Sequence, residues 1–294
     1  MKRHFYYVSL PNLIGRLQAE GRRIGPGAAL LGTAETGQTL SLNLYNDISN
    51  ILILGRAGAG KSELLRAMLF SLVSHSLPRE VSIVISDYAI SIYRDNEELI
   101  GPLFPFGHAR HCLRPIAYSF EKAMALLSFV IDTITERQDV GFVRPLIVPV
   151  FQNVEQLFYR GGGPFMERLI FALQNGPAVG VHSIVTGSSV LSSQLQQSVL
   201  MADFSVRIVG RFDSKVEARA AAGVPDVPAH RLPACDFFAI RGGRALRFKA
   251  AAINDYELYL NIERLGKVDR GRGRILPRNS YAPASYAAVA EVVR

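Results

Sequence analysis

The chain has only two cysteines, Cys112 and Cys235, far apart and with no paired-ligand spacing. That excludes a disulfide framework and suits a reducing compartment. No apolar run approaches the roughly eighteen residues a membrane-spanning helix needs, and the longest apolar segments are strand-sized. The opening MKRHFYYVSLPNLIG is basic, but it has no sustained apolar block and no small-residue cleavage site, so a signal peptide is not expected. These absences point to a cytoplasmic chain without a membrane span, and leave open a peripheral place on a membrane complex. There is no internal repeat, and nothing resembles a catalytic triad or a glycosidase carboxylate pair. The basic stretch RLGKVDRGRGRILPR carries Arg264, Lys267, Arg270, Arg272, Arg274 and Arg278. It lacks the interleaved aromatics that stack on bases, which argues against single-strand binding. Its composition favours a solvated linker over a contact with nucleic acid or an acidic partner.

What is present suits a folded α/β protein. Hydrophobic residues make up 49% of the 294 and charged residues 20%, and the formal charge of +8 permits a polyanionic partner without demonstrating one. Residues 1–23 read as an N-terminal helical extension, broken by Gly21, Gly25, Pro26 and Gly27. TLSLNLYN alternates like a half-buried strand, whereas NILILG and VSIVISD are continuous apolar runs like strands buried on both faces. KSELLRAMLFSLVSHS has helical spacing, as do Phe120, Met124, Leu127, Ile131 and Ile134. LIVPVFQ is a strand in which Pro149 removes a ladder donor and predicts a bulge. VLSSQLQQSVLMAD reads as helix, and DSKVEARAAAG as a helix opening on Asp213 and ending on Gly223. DFFAIR and RALRFKAA flank GGR as a hairpin. Alternating strands and helices predict a mostly parallel sheet with helices on both faces.

GRAGAGKS, from Gly55 to Ser62, satisfies G-x-x-x-x-G-K-[ST] between a predicted strand and a predicted helix. In this loop of Gly55, Arg56, Ala57, Gly58, Ala59 and Gly60, the glycines let backbone N–H groups turn toward phosphates. Lys61 would reach the β- and γ-phosphates of ATP, and Ser62 would offer its hydroxyl to Mg²⁺. The helix beginning at Lys61 adds its positive end. Hydrolysis also needs an acid at the end of a second buried strand. SIVISD ends on Asp87, and LIVPVFQN ends on the amides Gln152 and Asn153. Which strand lies beside the loop decides between them.

From about Leu31 to Lys249 the chain resembles the FtsK/SpoIIIE family, whose members are DNA translocases or the motors of type VII secretion. The opening strands and phosphate loop carry the resemblance, followed by VSIVISDYAI, where Asp87 matches and Tyr88 and Ala89 depart. TITERQ, RPLIVPVFQNVEQLF, GVHSIVTGSSV and VRIVGRFDSKVEARAAAG then follow in the family's order. The resemblance implies a RecA-like P-loop NTPase fold over residues 24–255, with 256–294 a basic linker and a short helix. It puts Gln152 and Asn153 in the family's Walker B Asp-Glu positions. Gln152 brings no charge to Mg²⁺, and Asn153 accepts no proton from water. Glu155 and Asp87 remain as substitute acids. Arg137 resembles an arginine that faces a neighbouring subunit's nucleotide. Thr186 and Ser188 occupy the tip where a γ-phosphate sensor would stand, although the family's Gln-Arg is absent. GHARHC, with His108, His111 and Cys112, lacks a second ligand pair and reads as a solvated loop.

Three functions follow from the resemblance. The first is an ATP-binding, hydrolysis-impaired domain in a ring motor or beside tandem ATPase domains. The second is an active translocase of double-stranded DNA. The third is a pseudo-ATPase module that binds a secreted-protein cargo. The chain has little room after residue 250 for the winged-helix domain that ends many DNA-segregating relatives.

Overall fold

Ile51–Leu54 (β4) is apolar at every position and fully buried. Because side chains alternate along a strand, Ile51 and Ile53 enter one core while Leu52 and Leu54 enter another. The strand is therefore the centre of a layered α/β domain. The computed structural model describes residues 7–46, 48–88, 101–141, 144–188 and 199–267.

The other strands among these residues are β1 (Val8–Ser9), β2 (Ala28–Ala34), β3 (Thr39–Asn43), β5 (Val81–Ser86) and β6 (Leu146–Phe151). They are followed by β7 (Ile184–Gly187), β8 (Val206–Val209), β9 (Asp236–Arg241) and β10 (Arg244–Ala252). They lie in the order β3-β2-β10-β9-β8-β4-β7-β6-β5, with β1 also pairing with β10. From β8 to β5 neighbouring strands are parallel; from β8 to β3 the successive neighbours are antiparallel, and the short β1 joins β10 in parallel. The fold is thus a RecA-like P-loop α/β fold on a mixed sheet, and its antiparallel flank is broader than a mostly parallel reading implies.

The helices divide between the two faces. On one side α1 (Leu10–Ala19), α2 (Lys61–His75) and α6 (Asp255–Lys267) pack with Ile51 and Ile53. On the other, α3 (Phe120–Gln138), α4 (Val154–Asn175) and α5 (Lys215–Ala222) pack with Leu52 and Leu54. Leu10, Leu13 and Leu17 bury one stripe of α1, so the N-terminal segment is joined to the main core rather than appended to it. Leu258 and Ile262 do the same for α6, which makes residues 255–267 helix where a linker was expected.

Local details depart from the sequence reading for identifiable reasons. Pro149 causes no bulge, because β5 and β6 pair without a register shift through Val84 and Pro149. Its nitrogen shares a side with the Ile147 N–H, which bonds Gly180 beyond the end of β7; on that side the β6–β7 ladder holds only Val150 and Phe151. β3 is buried at Thr39 through Leu42 instead of alternately, and Arg16 of α1 donates to Thr39 Oγ1 at 3.0 Å. α5 opens on Ser214, not Asp213: Ser214 Oγ accepts the Glu217 N–H at 3.1 Å and donates to Glu217 Oε2 at 3.2 Å, and Gly223 closes the helix at φ 64°. The expected helix over 190–203 lies mostly outside the described residues, which show a short 3-10 turn at Val199–Asp203. Most of the basic stretch after Lys267 also lies outside them.

Candidate nucleotide-binding site

The site forms at the carboxyl end of β4, where neighbouring strands lead away in different directions, the usual place for a ligand crevice in such sheets. Gly55, Gly58 and Gly60 take φ values of 159°, 75° and 98°, a region that favours residues without a Cβ. Gly60 is constrained a second time, because a Cβ there would lie 2.8 Å from Cys235 Sγ. Cys235, itself at φ 66°, donates its N–H to Ala59 O at 2.9 Å and so props the loop from below. Gly60 caps α2 with no side-chain hydrogen bond, leaving the helix's first N–H groups and positive end for a ligand.

Lys61 Nζ donates to Gly55 O at 2.6 Å and to Arg56 O at 3.1 Å. Burial lowers its pKa, partly opposed by the charge of Glu155. Arg56 turns away to pair with Asp213, and its N–H bonds Arg211 O at 2.8 Å. A cavity of about 560 Å³ opens beside the loop, within the range for nucleotide-sized ligands. Ala57, Gly58, Gly60, Lys61 and Ser62 line it together with Gln152 and Asn153. It extends past Cys235 to Tyr7, Arg66 and the Ile253–Asp255 turn.

The amides at the end of β6 therefore share a cavity with the loop at the end of β4. Only β7 lies between the two strands. Gln152 is buried; its Nε2 donates to Ser62 Oγ at 3.2 Å, and its own N–H bonds Ser86 O at 2.9 Å. Gln152 Oε1 is buried with no hydrogen-bond partner. Asn153 turns the chain from β6 into α4 at φ 52°, a conformation asparagine tolerates better than most side chains. Its N–H is held by Thr186 Oγ1 at 3.1 Å.

The other candidates fall elsewhere. Thr186 Oγ1 accepts the Asn153 N–H, and neither Thr186 nor half-buried Ser188 is among the residues that line the cavity. Glu155 sits in the first turn of α4 with Oε2 buried and without a hydrogen bond; it acts on Lys61 but does not line the cavity. Asp87 ends β5, separated from β4 by β6 and β7, and its Oδ2 accepts the Leu103 N–H at 3.1 Å. It is too distant to serve as the loop's acid. Arg137 is buried and donates to Val179 O at 3.1 Å and Pro145 O at 3.0 Å. It ties α3 to the segments that lead into β6 and β7. His111 Nε2 lies 2.9 Å from Ser76 O and Cys112 Sγ donates to Arg114 O, so GHARHC is partly buried architecture rather than a solvated loop. The described residues contain no metal-binding group there.

A family model described as "FtsK/SpoIIIE family" matches residues 19–208, well over half of the chain. The chain belongs to the FtsK/SpoIIIE family. The DNA translocase FtsK of Leptospira interrogans serogroup Icterohaemorrhagiae serovar copenhageni (strain Fiocruz L1-130) is 26% identical over 172 residues, covering 53% of this chain and 18% of that protein. The DNA translocase FtsK of Helicobacter pylori (strain J99 / ATCC 700824) is 28% identical over 182 residues, covering 58% and 22%. This FtsK/SpoIIIE chain thus spans about a fifth of the length of these relatives. Among solved structures, the cytoplasmic domain of the type VII secretion ATPase EccC of Thermomonospora curvata has the same fold. It gives a TM-score of 0.70 at 20% identity, covering 89% of this chain and 34% of that one. The pCW3 conjugation coupling protein TcpA gives 0.62 at 15% identity, covering 83% and 72%.

The FtsK/SpoIIIE phosphate loop is complete, but its surroundings do not fit a protein-held Mg²⁺. The only group within hydrogen-bonding distance of Ser62 Oγ from β6 is an uncharged amide. The carboxylates that line the cavity, Glu63 and Asp255, are both paired with Arg66. Sequence reasoning missed Arg66, Asp255, Cys235 and Tyr7. Arg66 meets Asp255 across 189 positions, and no local pattern reports such a contact.

Proposed function

We propose that this chain is an ATP-binding, hydrolysis-impaired FtsK/SpoIIIE domain that serves as a scaffolding or regulatory part of a ring-type motor. The observation that carries this reading is the hydrogen bond between Gln152 and Ser62, which sets an amide against an otherwise complete phosphate loop. An amide cannot anchor Mg²⁺ by charge, and Asn153 cannot take a proton from attacking water. Relatives are DNA translocases, and a solved EccC structure holds ATPases 2 and 3 in complex with a signal sequence peptide. Those names support double-stranded DNA and a secreted protein as the two cargo classes to test for the assembled motor. The paired ATPase units of the EccC structure support partner ATPase domains beside this chain.

A second reading, an active double-stranded DNA translocase, has one observation behind it. Glu155 is a carboxylate near Lys61 with an unpartnered buried oxygen, as an alternative base would be. Binding and turnover measured separately, with and without duplex DNA, discriminate the two. The expected result is ATP binding by calorimetry without turnover, and a loss of roughly a hundredfold or more in affinity for Lys61→Ala. Turnover abolished by both Lys61→Ala and Glu155→Gln would establish the translocase. Absence of ATP binding would leave a cargo-binding module.

A further inference from the structure

We infer that nucleotide binding at this site is independent of Mg²⁺, so that the protein takes the bare polyphosphate. The inference rests on the nucleotide-binding reading above and goes past it to the form of the ligand. Mg²⁺ sites at nucleotides combine one or two carboxylates with the phosphates. Among the described residues the cavity lining contains two carboxylates, and Arg66 engages both: Glu63 Oε1 lies 3.5 Å from Nη1, and Asp255 Oδ1 pairs with Nη2. Arg66 is itself buried, so its guanidinium is held between the two carboxylates, of which Asp255 is exposed and Glu63 partly so. Glu155 lies outside the cavity lining, with its charge directed at Lys61. What remains for a cation is the Ser62 hydroxyl, already bonded by Gln152, and neutral amide oxygens.

The same exchange removes a repulsion. Acids at positions 152 and 153 would face the phosphates directly, and a divalent cation would be needed to screen them. With Gln152 and Asn153 there, the end of β6 brings no negative charge toward the phosphates, which meet the Lys61 ammonium, the loop N–H groups and the positive end of α2, while Glu63 and Asp255 elsewhere in the lining are paired with Arg66. Metal therefore adds little to binding, and its removal exposes no buried like charge.

The test is calorimetric titration of the full chain with ATP, once in excess Mg²⁺ and once in EDTA, for the wild type and for Gln152→Asp. Wild-type affinity should change by less than roughly threefold between the two buffers. Gln152→Asp restores the carboxylate and should bind at least roughly tenfold more weakly in EDTA than in Mg²⁺. A wild type that binds in Mg²⁺ and loses tenfold or more in EDTA overturns the inference while leaving the nucleotide reading intact. Binding in neither buffer removes both. Thermal melting of Gln152→Asp reports whether the variant folds; if it does not, the wild-type pair of titrations decides alone.

Discussion

The ends of β4 and β6 meet across one hydrogen bond, yet they are built from different materials. The β4 end is mostly backbone: three glycines with positive φ, a helix start without a side-chain cap, and one charged side chain turned onto the loop, Lys61. The β6 end presents two side chains from a backbone that neighbours hold in place, Gln152 by Ser86 O and Asn153 by Thr186 Oγ1. Gripping phosphate thus depends on chain geometry, and cutting it depends on two replaceable groups. One function can be lost by exchange of two side chains without disturbing the frame of either.

If that comparison and the proposed loss of hydrolysis are right, turnover can be put back. Gln152→Asp together with Asn153→Glu should raise ATP turnover in Mg²⁺ by roughly 100-fold over the wild type, the lower end of what a positioned base contributes. Glutamate at φ 52° is less comfortable than asparagine, so the double variant should also lose about 1 kcal/mol of stability. Steady-state phosphate release and urea denaturation measure the two effects. Turnover unchanged in a folded double variant would mean that the β6 backbone no longer aims its side chains at the loop.

The comparison is sharpened by Arg137, which the family resemblance offered as a third piece of charge chemistry. Its two carbonyl bonds and its burial assign it to architecture. Arg137→Ala should lower stability by about 2 kcal/mol, from two charge-assisted hydrogen bonds and lost packing, and leave ATP affinity unchanged. A variant of native stability that loses turnover only in mixed assemblies with an active partner would return Arg137 to the neighbouring subunit's site.

How far the sequence could be read follows the same division. The phosphate loop was legible because its function occupies eight contiguous residues between a strand and a helix. The β9–β10 hairpin was legible because Gly242 and Gly243 mark its turn locally. Where Gln152 stands relative to Ser62 depends on strand order, which periodicity does not report; the resemblance supplied it, and the hydrogen bond now gives its geometry. The pairings of β10 with β2, of Cys235 with Ala59 and of Arg66 with Asp255 join residues far apart in the chain, so the far wall of the cavity left no local trace. The cap of α5 was misread by one residue because Asp213 and Ser214 are both good caps; Glu217 selects Ser214, and Asp213 is left to pair with Arg56.

A third strand end, that of β5, tests whether an acid here must be catalytic to survive. Asp87 is buried, its carboxylate accepts the Leu103 N–H, and a Cβ on Gly101 would collide with it. Desolvation raises its pKa to about 6, only partly opposed by the Leu103 hydrogen bond; Tyr118 is raised mainly by its own burial, with the Asp87 charge adding to it. The sign follows from linkage: between pH 3.8 and about 6 the folded chain retains a proton that the unfolded chain has released. This contribution to stability is therefore complete below the lower value and is lost as pH rises through the higher one. Between pH 5 and pH 7.5 the loss amounts to about 1 kcal/mol. Asp87→Asn, which keeps an acceptor for Leu103 and cannot ionise, should flatten that part of the stability profile in urea denaturation, and ATP affinity should not follow. An unchanged slope in the variant would place the titrating group elsewhere. A matching change in ATP affinity would tie the ends of β5 and β4 together despite the two strands between them.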